Sequence, residues 1–217
     1  MPSRTNSRAA NNARNDILEM LKDDHKRVKK AYRDFLKLDR EEDPEGCAAL
    51  VRQVLSDLEV HATLEEELLY PAARNAIGSP DLIDEAEVEH ASAKALIQQL
   101  KGMDGEDDKF AAHFTVLCEY VLHHVKEEEG ELFPQLQSVR LDWETMAHEM
   151  LARRAELTAV EDGASEATAG KDTADDDSER AAAPRAARKT SGGARTRSAA
   201  ADGMVSAPGE AIDSRRV

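Results

Sequence analysis

The sequence predicts an all-α protein: an up-down-up-down four-helix bundle with a short extra helix and a disordered C-terminal tail. Three observations predict it. Apolar residues recur at alternating steps of three and four between residues 15 and 158, and no β-branched run of period two appears. The periodic segments, each of roughly 20–30 residues, are joined by short turns, as in an antiparallel bundle. From about residue 160 the chain turns to Ala, Gly, Ser, Thr and Asp and has too little apolar surface to offset its ordering entropy.

In the first segment Ile17, Leu21, His25, Val28, Tyr32 and Phe35 make one stripe, with Asn15 as the expected cap and an end near Asp39. In the second, Asp43 caps, Pro44 takes the first helical position, and the stripe runs Cys47, Leu50, Val54, Leu58, His61, Glu65 and Leu68. Gly78 breaks the pattern. Ser79 is then expected to cap a third helix that opens on Pro80 and carries Ile83, Ala86, His90, Ala93, Ile97 and Leu100. After a polar turn at 102–108, the fourth stripe is Phe110, Phe114, Leu117, Val121, His124 and Glu128, with Leu132 one step off phase. A shorter fifth segment presents Trp143, Met146, Met150 and Leu151. The expected organisation is a disordered basic arm over 1–15, the bundle over 16–158 and the tail over 159–217.

Composition narrows the function. No apolar run approaches the roughly 20 residues of a membrane span, and the mean hydropathy is −0.61. Forty-four acidic against 29 basic side chains give a net charge of −15, which opposes binding to nucleic acid. Cys47 and Cys118 belong to no paired motif and read as reduced core residues, which places the chain in the cytoplasm. The tail joins an acidic block centred on 175–177 to a basic stretch at 180–197 and is a candidate for contact with a protein partner.

The chemistry lies on the apolar seam. Each of the four stripes carries one histidine, and two carry a glutamate four residues later: His61 with Glu65, and His124 with Glu128. The i, i+4 spacing sets both members of a pair on one helix face. Six unpartnered buried imidazoles and carboxylates would be heavily destabilising, so a shared cation is expected.

The chain also repeats itself. A proline follows ten residues after His61 and after His124, and His25 and His90 precede those histidines by 36 and 34 residues. Helices one and two therefore copy helices three and four. His123 and Glu127 share the i, i+4 spacing, but His123 is turned about 100° from the stripe. His113 and His148 read as surface or boundary residues. Glu66, Glu67, Glu127, Glu129 and Glu131 read as solvated faces, with Glu66 or Glu127 available to hold an imidazole from behind.

Imidazole and carboxylate donors without cysteine suit iron, manganese or zinc, and six ligands exceed the needs of a structural zinc. The doubled His-x3-Glu-x5-Pro element, with one histidine on each alternate helix, resembles the HHE cation-binding domains, which are similar to hemerythrin, a four-helix bundle with a non-haem di-iron centre. The resemblance covers about residues 16–140. It implies two iron ions, one on His25 and His61 and the other on His90 and His124, with Glu65 and Glu128 bridging.

Oxygen-carrying hemerythrins place a fifth histidine one turn before the ligand of the third helix, where this chain has Ala86. The departure leaves an iron open to water or peroxide, with Glu87 near but off the seam. The implied small-molecule ligand is dioxygen or peroxide. The implied function is binding or reduction of dioxygen-derived species, or, in a different class, a non-enzymatic iron or oxygen sensor or store acting through metal-dependent ordering and a partner.

Overall fold

The computed structural model of the chain describes residues 4–169, with side chains described from 7 to 159; the tail beyond 169 lies outside the described residues. Every regular element among them is helical. The order is α1 (Arg4–Phe35), α2 (Pro44–Leu64), a π turn (Glu65–Leu69), α3 (Tyr70–Ala73), α4 (Asp81–Lys101), α5 (Phe110–Glu127), a second π turn (Glu128–Leu132), α6 (Phe133–Leu136) and α7 (Trp143–Ala169). Helix α1 packs on α2, α5 and α7, and α4 packs on α5 and α2, which is the expected bundle with an added helix along its side.

The ends of the elements depart from expectation at four places. Helix α1 begins at Arg4 instead of after Asn15. Ala9, Ala10, Ala13 and the arginines are strong helix formers that extend a helix already nucleated, while Ala13 packs on the core and Arg14 donates to the carbonyl of Gln137. At the other end α1 stops at Phe35, and single turns carry the chain on. Asp43 caps α2 as expected, its Oδ1 accepting the N–H of Gly46 at 2.8 Å. Ser79 does not cap α4. Pro80 takes that position without a side-chain bond, and Oε1 of Gln135 accepts the N–H groups of Gly78 and Ser79. Helix α7 runs to Ala169, past the boundary expected at 158, and Leu151 is 62% exposed because the buried face is Trp143, Met146 and Met150.

The two π turns are the internal repeat made visible. The N–H of Tyr70 bonds the carbonyl of Glu65, and that of Phe133 bonds the carbonyl of Glu128, each one residue wider than an α-helical bond. Pro71 and Pro134 follow immediately. Each lacks an N–H and crowds the carbonyl four residues back, and the wide turn relieves both problems. The extra residue advances the helical phase, so Leu132 is buried although off stripe, and Leu69 is fully buried where the period had put Leu68.

The apolar interior is split in two. One cluster includes Ile17, Leu21, Leu64, Leu69, Ile83, Phe133 and Met150; the other includes Val28, Phe35, Val54, Ile97, Phe114 and Leu117. His25, His61, His90 and His124 fall between these clusters in sequence on their helices and form a polar layer across the bundle. Cys47 and Cys118 are buried free thiols in the second cluster.

Candidate metal centre

All six seam residues are buried, none more than 6% exposed. They converge as two histidine pairs. Nε2 of His25 lies 3.2 Å from Nε2 of His61, and Nε2 of His90 lies 3.1 Å from Nε2 of His124. Each glutamate crosses between the pairs. Oε2 of Glu65 is 3.2 Å from His61 and 3.5 Å from His90, while Oε2 of Glu128 is 3.3 Å from His25 and 3.7 Å from His124. Two imidazole nitrogens facing each other at this distance with carboxylates alongside form a donor set that a positive charge at its centre would satisfy.

Carboxylates also stand behind the rings. The Nδ1 atoms of His25, His61, His90 and His124 lie 2.9, 3.2, 3.0 and 2.7 Å from Glu129, Asp24, Glu66 and Glu89 respectively. Such contacts fix the tautomer, leaving Nε2 of each ring free to bind a metal. The repeat generates the set. Asp24 and Glu89 immediately precede the histidines of α1 and α4, and Glu66 and Glu129 immediately follow Glu65 and Glu128. Glu66 therefore acts from behind as expected. Glu127 does not; it pairs with the exposed His123 at 3.1 Å, and Glu129, expected on a solvated face, takes that role. The signal that identifies Asp24, Glu89 and Glu129 was present in the repeat.

Tyr70 is a further member that the seam pattern missed. Its hydroxyl lies 3.3 Å from Glu65, 3.3 Å from Glu128 and 3.4 Å from Nε2 of His90, and it is fully buried. Burial, reinforced by the two carboxylate charges, holds the hydroxyl protonated well above the usual range. Glu87 pairs with Arg74 and is exposed, while Ala86 is buried in the first apolar cluster. His113 is half-buried against a carbonyl of its own helix, and His148 is exposed.

The electrostatics favour a cation. Burial is the largest influence on His61 and opposes its charge, yet the Glu65 charge and hydrogen bonds to Asp24 and Glu65 raise it to about 10. Burial likewise opposes the charge on Glu65, and the neighbouring imidazoles overcome it, so the carboxyl is held well below its usual range. Glu65 Oε1 and Glu128 Oε2 are buried without a hydrogen-bond partner. A buried carboxylate oxygen without a partner on each of these two glutamates is a place that a metal ion would satisfy, so the residues fit metal ions.

Residues 16–136 match the hemerythrin HHE cation-binding domain. The chain belongs to that family. A crystal structure of a hemerythrin HHE cation-binding domain-containing protein from Mycobacterium kansasii shares the fold, with a TM-score of 0.57 at 22% identity over 70% of this chain and 91% of that one. The chain is also similar to a DNA nickase from a Nostoc species, 30% identical over 123 residues. That match takes in 57% of this chain but only 34% of the nickase, so the chain spans about a third of that relative's length. The match is to a cation-binding domain, the bundle carries buried His and Glu clusters that could hold a metal ion, and among the described residues no helix is long and apolar enough to cross a membrane.

Proposed function

We propose that the chain is a non-haem di-iron protein whose metal ligands are His25, His61, Glu65, His90, His124 and Glu128, and that it binds or reduces a dioxygen-derived species such as peroxide. The observation that carries this reading is the crossing of the two glutamates, each within reach of both histidine pairs. A single ion uses one cluster of donors; two clusters that share Glu65 suit two ions. When bound, such a centre supplies electron transfer and Lewis acidity to a small oxygen ligand.

The remaining residues orient, exclude and donate. A cavity of about 30 Å³ is walled by the four imidazoles with Val28, Leu58, Ile97 and Val121, room for about one water-sized ligand beside an apolar surface. The Tyr70 hydroxyl holds a proton beside both glutamates and offers a hydrogen bond within the site. With Ala86 in the apolar cluster, α4 contributes a single imidazole to the layer, which favours peroxide chemistry over reversible carriage of dioxygen. A sensor role draws support from one contact: Arg154 of α7 reaches Asp24, which stands behind His61.

Metal analysis and visible absorption of protein purified in air test the reading. Iron with a near-ultraviolet charge-transfer band that changes on adding peroxide is expected; a colourless protein holding zinc alone would overturn it.

A further inference from the structure

Outside the buried layer, Glu89, His123 and Glu127 form a separate cluster on α4 and α5. Nε2 of His123 lies 3.1 Å from Oε1 of Glu127 and 4.0 Å from Oε1 of Glu89, and one donor atom from each residue falls within 4.8 Å of the others. A divalent ion bonded at about 2.0–2.2 Å in tetrahedral geometry holds its donors about 3.3–3.6 Å apart, so small rotamer adjustments would accommodate one. The His123 side chain is 59% exposed and that of Glu127 35%, so water completes the coordination from the open side. Glu89 is nearly buried and faces both ways: its Oε2 lies 2.7 Å from Nδ1 of His124.

The internal repeat supplies an independent reason for a cation here. Asp24 is the counterpart of Glu89, one residue before the histidine of its helix and against the Nδ1 of the histidine across from it. The outer side of Asp24 is covered by positive charge, from Arg27 and from Arg154, whose Nη1 is 3.0 Å away. The counterpart of Arg27 is Ser92, which bonds the carbonyl of Val88, and among the described residues α7 has no counterpart in the other half. Where one carboxylate has two guanidinium groups, the other has His123 and a further carboxylate.

We propose that Glu89, His123 and Glu127 bind a borderline divalent transition-metal cation at the surface, in the place that the guanidinium groups take at Asp24. One imidazole and two carboxylates suit Zn²⁺, Fe²⁺ or Mn²⁺ rather than a hard oxygen-only ion. A cation on Oε1 draws charge from Glu89 and weakens its hold on Nδ1 of His124, so occupancy of the outer site adjusts how strongly His124 donates to the buried centre. The binding itself does not depend on which metal the buried centre holds.

The probe is Zn²⁺ alone, added to the metal-replete full-length chain, with bound zinc and retained resident metal both measured after equilibrium dialysis. About one additional zinc per chain is expected for the unaltered protein, and none for His123→Ala or Glu127→Gln, with the resident metal unchanged in all three. His113→Ala should keep the additional zinc. His123 is exposed and Glu127→Gln preserves shape, so folding is safe in both. No additional zinc on the unaltered chain, or its retention in both variants, overturns the proposal.

Discussion

Tyr70 and Phe133 hold equivalent places in the two halves of the chain, nine residues after His61 and His124, yet they treat the polar layer differently. Tyr70 sets its hydroxyl 3.3 Å from both Glu65 and Glu128, whereas the Phe133 ring lies parallel to that of His25 at 6.0 Å. One half of a near-symmetric site thus receives a hydrogen-bond donor and the other an apolar wall. Tyr70→Phe should keep the fold, cost about 1 kcal/mol of stability and change the visible spectrum of the metal-loaded protein. A spectrum identical to that of the unaltered protein would remove Tyr70 from the centre.

Glu65→Ala and Glu128→Ala should each lower metal content far more than Glu66→Ala or Glu127→Ala. The first two reach both histidine pairs, and with the two proposed ions bound the loss of one glutamate would leave less negative charge between the cations. Glu66 stands behind His90, and Glu127 pairs with the exposed His123 outside the buried layer. On the same geometry, His124→Ala should empty the buried centre and His123→Ala should not. Elemental analysis of the purified variants checks all six.

The metal-free protein should show a stability plateau from about pH 4.5 to 6.5. His61 is raised from 6.5 to about 10, so its contribution is complete below 6.5 and fades as pH rises toward 10. Glu65 is depressed, so its contribution is complete above its ordinary 4.5 and fades as pH falls below that. Thermal melts across pH 4–10 read this out, and Glu65→Gln should flatten both limbs. Bound metal takes the place of the proton, so stabilisation by metal should grow with pH.

Arg154→Ala should destabilise the protein by ~2 kcal/mol, less than a buried ion pair usually costs because Arg27 still faces Asp24. The same variant should weaken metal retention, since Asp24 stands behind His61. Chemical denaturation and chelator competition measure the two effects. Loss of stability with unchanged metal retention would make the contact purely structural.

The stripes were legible because helical period follows burial closely: every predicted position from Phe110 to Glu128 is buried, and Tyr32, Leu50 and Ala93 on the other stripes are half-buried against the second cluster. Leu68 was misplaced, and Leu132 looked out of phase, because a period cannot register the residue that a π turn inserts. The six seam residues stood out as polar groups on an apolar face. Asp24, Glu89 and Glu129 did not, since a carboxylate at the edge of a stripe looks like any solvated helix face until the opposing helix brings a ring to it. Tyr70 escaped notice for the opposite reason: an aromatic residue on a buried face reads as core, and its hydroxyl matters only because of what lies across the bundle. The helical start at Arg4 was hidden by a composition with no acids and few apolar residues, although its alanines favour helix.

The most direct measurement is the metal content of the full-length chain purified from iron-replete cells, by elemental analysis against protein concentration. The account predicts about two irons per chain, lost together when Glu65 or Glu128 is replaced by alanine. One zinc per chain and no iron would contradict it.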